Sequence, residues 1–280
     1  MGKGYWTVHS VAARGADMTC IAIWYEAFDK VLWAVGDTRT INHLNGSLSE
    51  ASAKIFPLTV KCFVPGTSGF FDNLRLSRTL GFAFAGNTFS ALQTYSALNA
   101  ALQHMIGLPD LPLPSMADVA MLAQRLGTRY FVETLRPFEM AVFGCCPASN
   151  TLQVFHLEWD ASRLMFDLRS LPETTSASPL LLGSHKPEIA EAIAELDAKA
   201  EHALRRTPSR VLASIIREGR FPDVGGTLQI GTTRGREFGL MSYMQPSGNG
   251  PQCAMVFLGL DVETDLGQVG AFKVAPMGTI

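Results

Sequence analysis

The order of secondary-structure signals constrains this chain most: strand runs, two helices, strand runs, two helices, then strands again. Cys20-Ile-Ala-Ile-Trp-Tyr25 and Val31-Leu-Trp-Ala-Val35 are short apolar runs rich in β-formers, and the polar stretch Glu26 to Lys30 between them reads as a hairpin turn. A loop rich in Asn, Gly and Ser spans Asn42 to Ser49. Strands are expected at Lys54 to Val60 and Gly81 to Gly86, with a loop around Pro65 to Asn73. Apolar residues at Leu92, Tyr95, Leu98 and Leu102 give helical spacing over Ser90 to Ile106, and a second helix over Met116 to Leu126 follows the Pro-rich connector Pro109 to Pro114. Strands resume at Met140 to Gly144, Leu152 to Leu157 and Leu164 to Leu168. Leu180 to Ser184 leads into helices over Pro187 to Leu204 and Pro208 to Glu218. The chain closes with strands at Thr227 to Thr232, Phe238 to Met244 and Cys253 to Leu258. Segregated runs of this kind predict sheets covered by helix layers, an α+β class, rather than alternating βαβ units. No internal repeat, low-complexity tract or domain boundary divides the chain.

Charged residues make up 17% of the 280 residues and apolar ones 47%. An ordinary soluble domain has roughly 25% charged residues. Two readings stay open: a large core, or a surface partly buried against other subunits. The formal net charge of −2 argues against a nucleic-acid binder, which carries a basic face. No apolar run approaches the roughly 18 residues of a membrane span. Met1 to Asp17 lacks the continuous apolar stretch of a secretory signal. The cysteines (Cys20, Cys62, Cys145, Cys146, Cys253) are odd in number and lack metal-ligand spacing, which suits a reduced, cytoplasmic protein. The histidines show no H-x-x-x-H or H-E-x-x-H spacing, and no nucleotide-binding glycine motif is present.

Three segments carry candidate chemistry: Thr19-Cys-Ile-Ala-Ile23, Gly36-Asp-Thr-Arg-Thr40 and Ala53-Lys-Ile-Phe56. Gly81-Phe-Ala-Phe-Ala-Gly86 and Leu182-Gly-Ser184 follow downstream, each leading into a helical pattern. In their order and spacing these segments resemble the proteasome β-subunit family and its bacterial relatives, within the N-terminal-nucleophile (Ntn) hydrolases, from Thr19 to about Gly231. The resemblance implies a four-layer α/β/β/α sandwich of two stacked, mainly antiparallel sheets. It implies catalytic roles for Thr19, Asp37, Lys54, Ser184 and Gly86. Arg39, Thr40, Ile41 and Phe84 would bind substrate, with Phe84 at the wall of the pocket for the residue preceding the cut bond. It implies no cofactor, a peptide or amide substrate, and a homo-oligomer such as a ring. Nothing in the sequence marks an unfoldase partner.

The chemistry has its own logic. A threonine hydroxyl is a weak nucleophile and needs a nearby base. A terminal threonine carries one, because its free α-amine, with an ordinary pKa near 8, can accept the hydroxyl proton directly or through water. A charged lysine stabilises the alkoxide-like state, and an aspartate beside it keeps it protonated and in place. The amide of Gly86 would face the developing oxyanion, and Ser184 would orient the amine. Thr19 acts this way only as the first residue. Residues 1–18 are therefore expected to be an upstream extension absent from the active form, with Met18 before the small Thr19 as an initiator that an aminopeptidase would remove. Residues 19–280 then form one domain with a C-terminal extension from about 236. A retained extension would instead leave a non-catalytic structural subunit, and an open cleft in a monomer would suit a small-molecule amidase. The pattern also departs from the family. His185 follows Ser184 where a small residue is usual, and Asp223 stands close to Gly225 and Gly226 without an accompanying serine.

Overall fold

The computed structural model of the chain describes residues 19–41, 46–171, 178–199, 206–246, 253–274 and 276. The expected extension at residues 1–18 lies outside them, as does part of the expected loop, residues 42–45. In chain order the elements begin with β1 (Cys20–Glu26), β2 (Val31–Asp37), β3 (Thr40–Ile41), β4 (Ser47–Ser49), β5 (Ile55–Val64) and β6 (Asn73–Gly86). They continue with α1 (Thr88–Leu102), β7 (Met105–Ile106), α2 (Met116–Thr134), β8 (Phe138–Cys145), β9 (Leu152–Asp160), β10 (Met165–Ser170) and β11 (Leu180–Gly183). After α3 (Lys186–Ala198) and α4 (Thr207–Glu218) come β12 (Leu228–Arg234), β13 (Glu237–Met241), β14 (Tyr243–Pro246), β15 (Cys253–Phe257), β16 (Leu260–Asp261), β17 (Gln268–Val269) and β18 (Phe272–Lys273). The class is α+β and strand-rich, as the element order predicts.

Two sheets dominate. One has the order β11-β1-β2-β12-β13, the other β10-β9-β8-β6-β5-β7. Every pairing is antiparallel except that of β5 with the short β7. The strands are apolar on both faces because both faces are covered. Along β1, Cys20, Ala22 and Trp24 join Ile189, Ile193, Val211, Leu212 and Ile215 of α3 and α4 in one core cluster. Ile21 and Ile23, pointing the other way, pack with Ala83, Ala85, Ala141 and Phe143 of the second sheet. The outer face of that sheet, with Leu80, Phe82, Phe84, Met140 and Val142, packs against Leu98, Val119 and Ala123 of α1 and α2. Burying a side chain such as Ile21 or Ile23 completely stabilises the fold by roughly 1.5–3 kcal/mol. On this inner face β6 contributes the small residues Gly81, Ala83 and Ala85, and a Cβ on Gly81 would lie 2.3 Å from the Phe143 ring.

Local signals explain the boundaries. Helix α1 starts earlier than its apolar spacing suggests because the Asn87 side chain caps it, accepting from the Ser90 amide at 3.0 Å. Ser115 and Asp118 form a reciprocal capping box on α2, which runs eight residues past the expected end to Thr134. Strand β13 joins the first main sheet through Ile230↔Met241 to Arg234↔Glu237, so the chain leaves the main sheets only after Met241.

Candidate active site

Antiparallel pairing brings several chain ends to one end of the stacked sheets. The start of β1 lies beside the end of β11 (Cys20↔Gly183) and the end of β2 (Ile21↔Gly36), while Asp37 pairs with Leu228 at the start of β12. In the other sheet, the start of β5, the end of β6 and the start of β8 meet through Ile55↔Ala83 and Ala85↔Glu139. Thr19 (2% exposed), Asp37 (0%) and Lys54 (2%) are all buried there.

Asp37 is the hub. Its Oδ1 accepts from the Cys20 amide at 3.0 Å and from Lys54 Nζ at 2.9 Å. Its Oδ2 accepts from the amides of Arg39 at 3.1 Å and Gly225 at 3.2 Å. The carboxylate thus fixes the residue that follows Thr19 and the lysine at once. Lys54 Nζ also donates to the Arg39 carbonyl, and the Lys54 amide donates to Gln229 Oε1 at 2.9 Å. Burial pushes Asp37 above the usual carboxylate range and pulls Lys54 below the ordinary lysine value, while their mutual attraction opposes both shifts. The Cys20 thiol is pushed up by burial, reinforced by the Asp37 charge, so it stays a thiol and offers no competing nucleophile.

Ser184 meets Thr19 through the backbone. Its amide donates to the Thr19 carbonyl at 2.9 Å, and its hydroxyl lies 3.4 Å from the same oxygen. The approach needs Gly183: at φ +97°, a Cβ there would stand 1.8 Å from the Thr19 carbonyl oxygen. Ser184 Oγ also donates to Asp223 Oδ2 at 2.6 Å, so the single aspartate before the paired glycines reaches this serine despite its shifted position. Those glycines are themselves a close approach, since a Cβ on Gly225 would lie 2.2 Å from Arg39 Cζ.

Gly86 ends β6 at φ +96°, in the strand-to-helix turn, and the adjacent Ala85 packs toward Gly183. Arg39 contributes mainly through its backbone, and its guanidinium binds Glu50 at 3.0 Å and the Pro222 carbonyl at 3.0 Å. Thr40 and Ile41 form β3, paired with β4, and Ile41 is buried. Phe84 is placed differently from the expectation. It is 1% exposed and stacks with Phe56 at 6.1 Å in the helix-facing core. Strand alternation turns Ala83 and Ala85, not Phe84, toward the other sheet.

Two participants were not singled out from sequence. Gln229 (1% exposed) joins Lys54 and Ile55 to β12, with Oε1 accepting from both amides and Nε2 donating to the Ile55 carbonyl. Its signal is a polar residue inside an apolar strand. Glu139 (6% exposed) accepts from the Gly183 amide at 2.6 Å, Lys186 Nζ at 2.9 Å and His156 Nε2 at 2.8 Å, joining the second sheet to the turn that holds Thr19. Burial raises its pKa, but His156, Lys186 and the Gly183 amide outweigh burial and hold it below the ordinary glutamate value. Among the described residues, no group of three His, Cys, Asp or Glu side chains could hold a metal ion. No helix among them is long and apolar enough to cross a membrane.

Neither a protein-family model nor a curated protein matches the sequence. Solved structures do share the fold. An Anbu mutant from Hyphomicrobium sp. strain MC1 superposes with a TM-score of 0.51 at 14% identity, over 76% of this chain and 81% of that one. Anbu, described as an ancestral beta-subunit, from Yersinia bercovieri gives 0.50 at 15% identity, over 79% and 82%. The resemblance to the proteasome β-subunit family is thereby corrected, because these neighbours form a distinct, proteasome-like family. At such identities the likeness establishes the fold alone.

Proposed function

We propose that this chain is a threonine-type hydrolase of the N-terminal-nucleophile class, cleaving peptide or other amide bonds through Thr19. The observation that carries the reading is the buried Lys54–Asp37 pair at 2.9 Å, tied by Asp37 to the amide of the residue after Thr19. Burying such a pair costs several kcal/mol per ion unless the geometry compensates. The amides of Cys20, Arg39 and Gly225, all donating to Asp37, are the compensation.

In this reading the residues before Thr19 are removed, and its α-amine takes the proton from its own hydroxyl. The hydroxyl oxygen attacks the amide carbon, and Lys54 stabilises the oxygen as it becomes anionic. The Gly86 amide donates to the oxyanion. The C–N bond breaks as the ammonium returns its proton to the leaving amine, leaving an ester on Thr19. Water, activated by the same amine, adds to the ester and releases the acid. Ser184 and Asp223 orient the amine, and Arg39, Thr40 and Ile41 border the substrate. The reading needs no cofactor.

The paired sheets with α1 and α2 on one outer face and α3 and α4 on the other support a four-layer α/β/β/α sandwich in a single domain from Thr19 onward. Homo-oligomerisation is part of the proposal, supported by a charged fraction of only 17% and by exposed Phe70, Ile106 and Leu108. A cytoplasmic location fits cysteines that are all free. Treatment with a peptidyl epoxyketone tests the chemistry. Covalent labelling of the wild-type chain and none of Thr19→Ala or Lys54→Ala is the expected result. Equal labelling of the Thr19→Ala variant would refute it.

A further inference from the structure

We propose that His185 is a positioning residue for the Thr19 site: through Asp223 it fixes the Ser184 hydroxyl. The proposal rests on the hydrolase reading above. His185 occupies the residue before α3 with a left-handed backbone, φ 56° and ψ 25°. That left-handed conformation is strained for an L-residue. The ring gives the helix nothing in return, because it makes no capping hydrogen bond. It is instead held elsewhere. The imidazole stacks on Phe221, with centroids 3.8 Å apart and planes 6° from parallel. Its Nε2 lies 2.9 Å from Asp223 Oδ1. The other oxygen of Asp223 accepts from Ser184 Oγ at 2.6 Å, and the Ser184 amide holds the Thr19 carbonyl at 2.9 Å.

Each step is thus a direct contact, running from a ring that is 27% exposed to the residue that bears the nucleophile. A carboxylate only accepts, so Nε2 carries the proton and donates it to Asp223 Oδ1. That bond holds the carboxylate with its other oxygen, Oδ2, turned to the Ser184 hydroxyl. Among the described residues, Asp223 is the hydrogen-bond partner of the ring.

The test compares labelling rates in the full chain. His185→Ala should react with a peptidyl epoxyketone roughly tenfold more slowly than the wild type, whereas His185→Gln, which keeps a neutral donor, should recover most of that rate. Equal rates for the wild type and His185→Ala, or a His185→Gln variant as slow as His185→Ala, would overturn the proposal. The second readout needs no activity. In NMR spectra the Nε2 proton of His185, protected from exchange by its bond to Asp223, should be observable in the wild type and lost in Asp223→Ala, whereas a signal unchanged in that variant would overturn the coupling. Absence of any wild-type labelling would count against the hydrolase reading, and the Nε2 proton signal would still decide the His185–Asp223 link.

Discussion

Asp37 sits out of contact with solvent, accepting from three backbone amides and the Lys54 ammonium. Removing the ammonium leaves a buried carboxylate facing empty space, so Lys54→Ala should lower unfolding free energy by about 3–5 kcal/mol. Replacing both partners, as in Asp37→Asn with Lys54→Met, should recover part of that loss in denaturant titrations. Recovery would separate burial cost from lost chemistry, since the double variant should still fail to react. Gly183→Ala should be at least as damaging as the single lysine change, because a methyl 1.8 Å from the Thr19 carbonyl oxygen forces the site open. Asp37 and Lys54 were singled out by the joint order and spacing of their segments rather than by either residue alone. Phe84 was misread because a resemblance between segments does not say which face of β6 a side chain takes, and alternation turned it to the helix core. Glu139 passed unnoticed because its partners are 17, 44 and 47 residues away.

At the scale of elements, Glu139 on β8 joins the second sheet to the β11–α3 turn. Its folded-state pKa is below the ordinary value of about 4.3. A depressed carboxylate contributes stability that is fully present above the ordinary value and disappears as pH falls through the folded one. Thermal midpoints of the wild type should therefore drop more steeply below about pH 4.3 than those of Glu139→Gln. The two curves should converge in acid, and parallel curves would assign the contact no energetic role. The α2 cap gives a plainer case: Ser115→Ala should cost about 1 kcal/mol without changing reactivity. Strand and helix order was readable from apolar runs. Strand β6 was cut short in the reading because Asn73 to Ser77 are mostly exposed and polar, extending the hairpin with β5 beyond the apolar core that marks Gly81 to Gly86.

For the whole molecule, the two sheets bring Thr19, Asp37 and Lys54 together at one end, and the proposed self-association belongs to the outer surface. Light scattering of the native protein should return a multiple of the chain mass, and a monomer would remove the self-association proposed for the exposed apolar residues. Sheets covered by helix layers followed from the segregated helix pairs, whereas the family did not, because chains only 14–15% identical share this fold. The central claim is that Thr19 becomes the first residue and supplies both nucleophile and base. N-terminal sequencing of the natively expressed protein, followed by peptide mapping after epoxyketone treatment, tests it most directly. The account predicts a chain that starts at Thr19 with one adduct, located on that residue. A native chain that retains residues before Thr19 and takes up no probe there would contradict it.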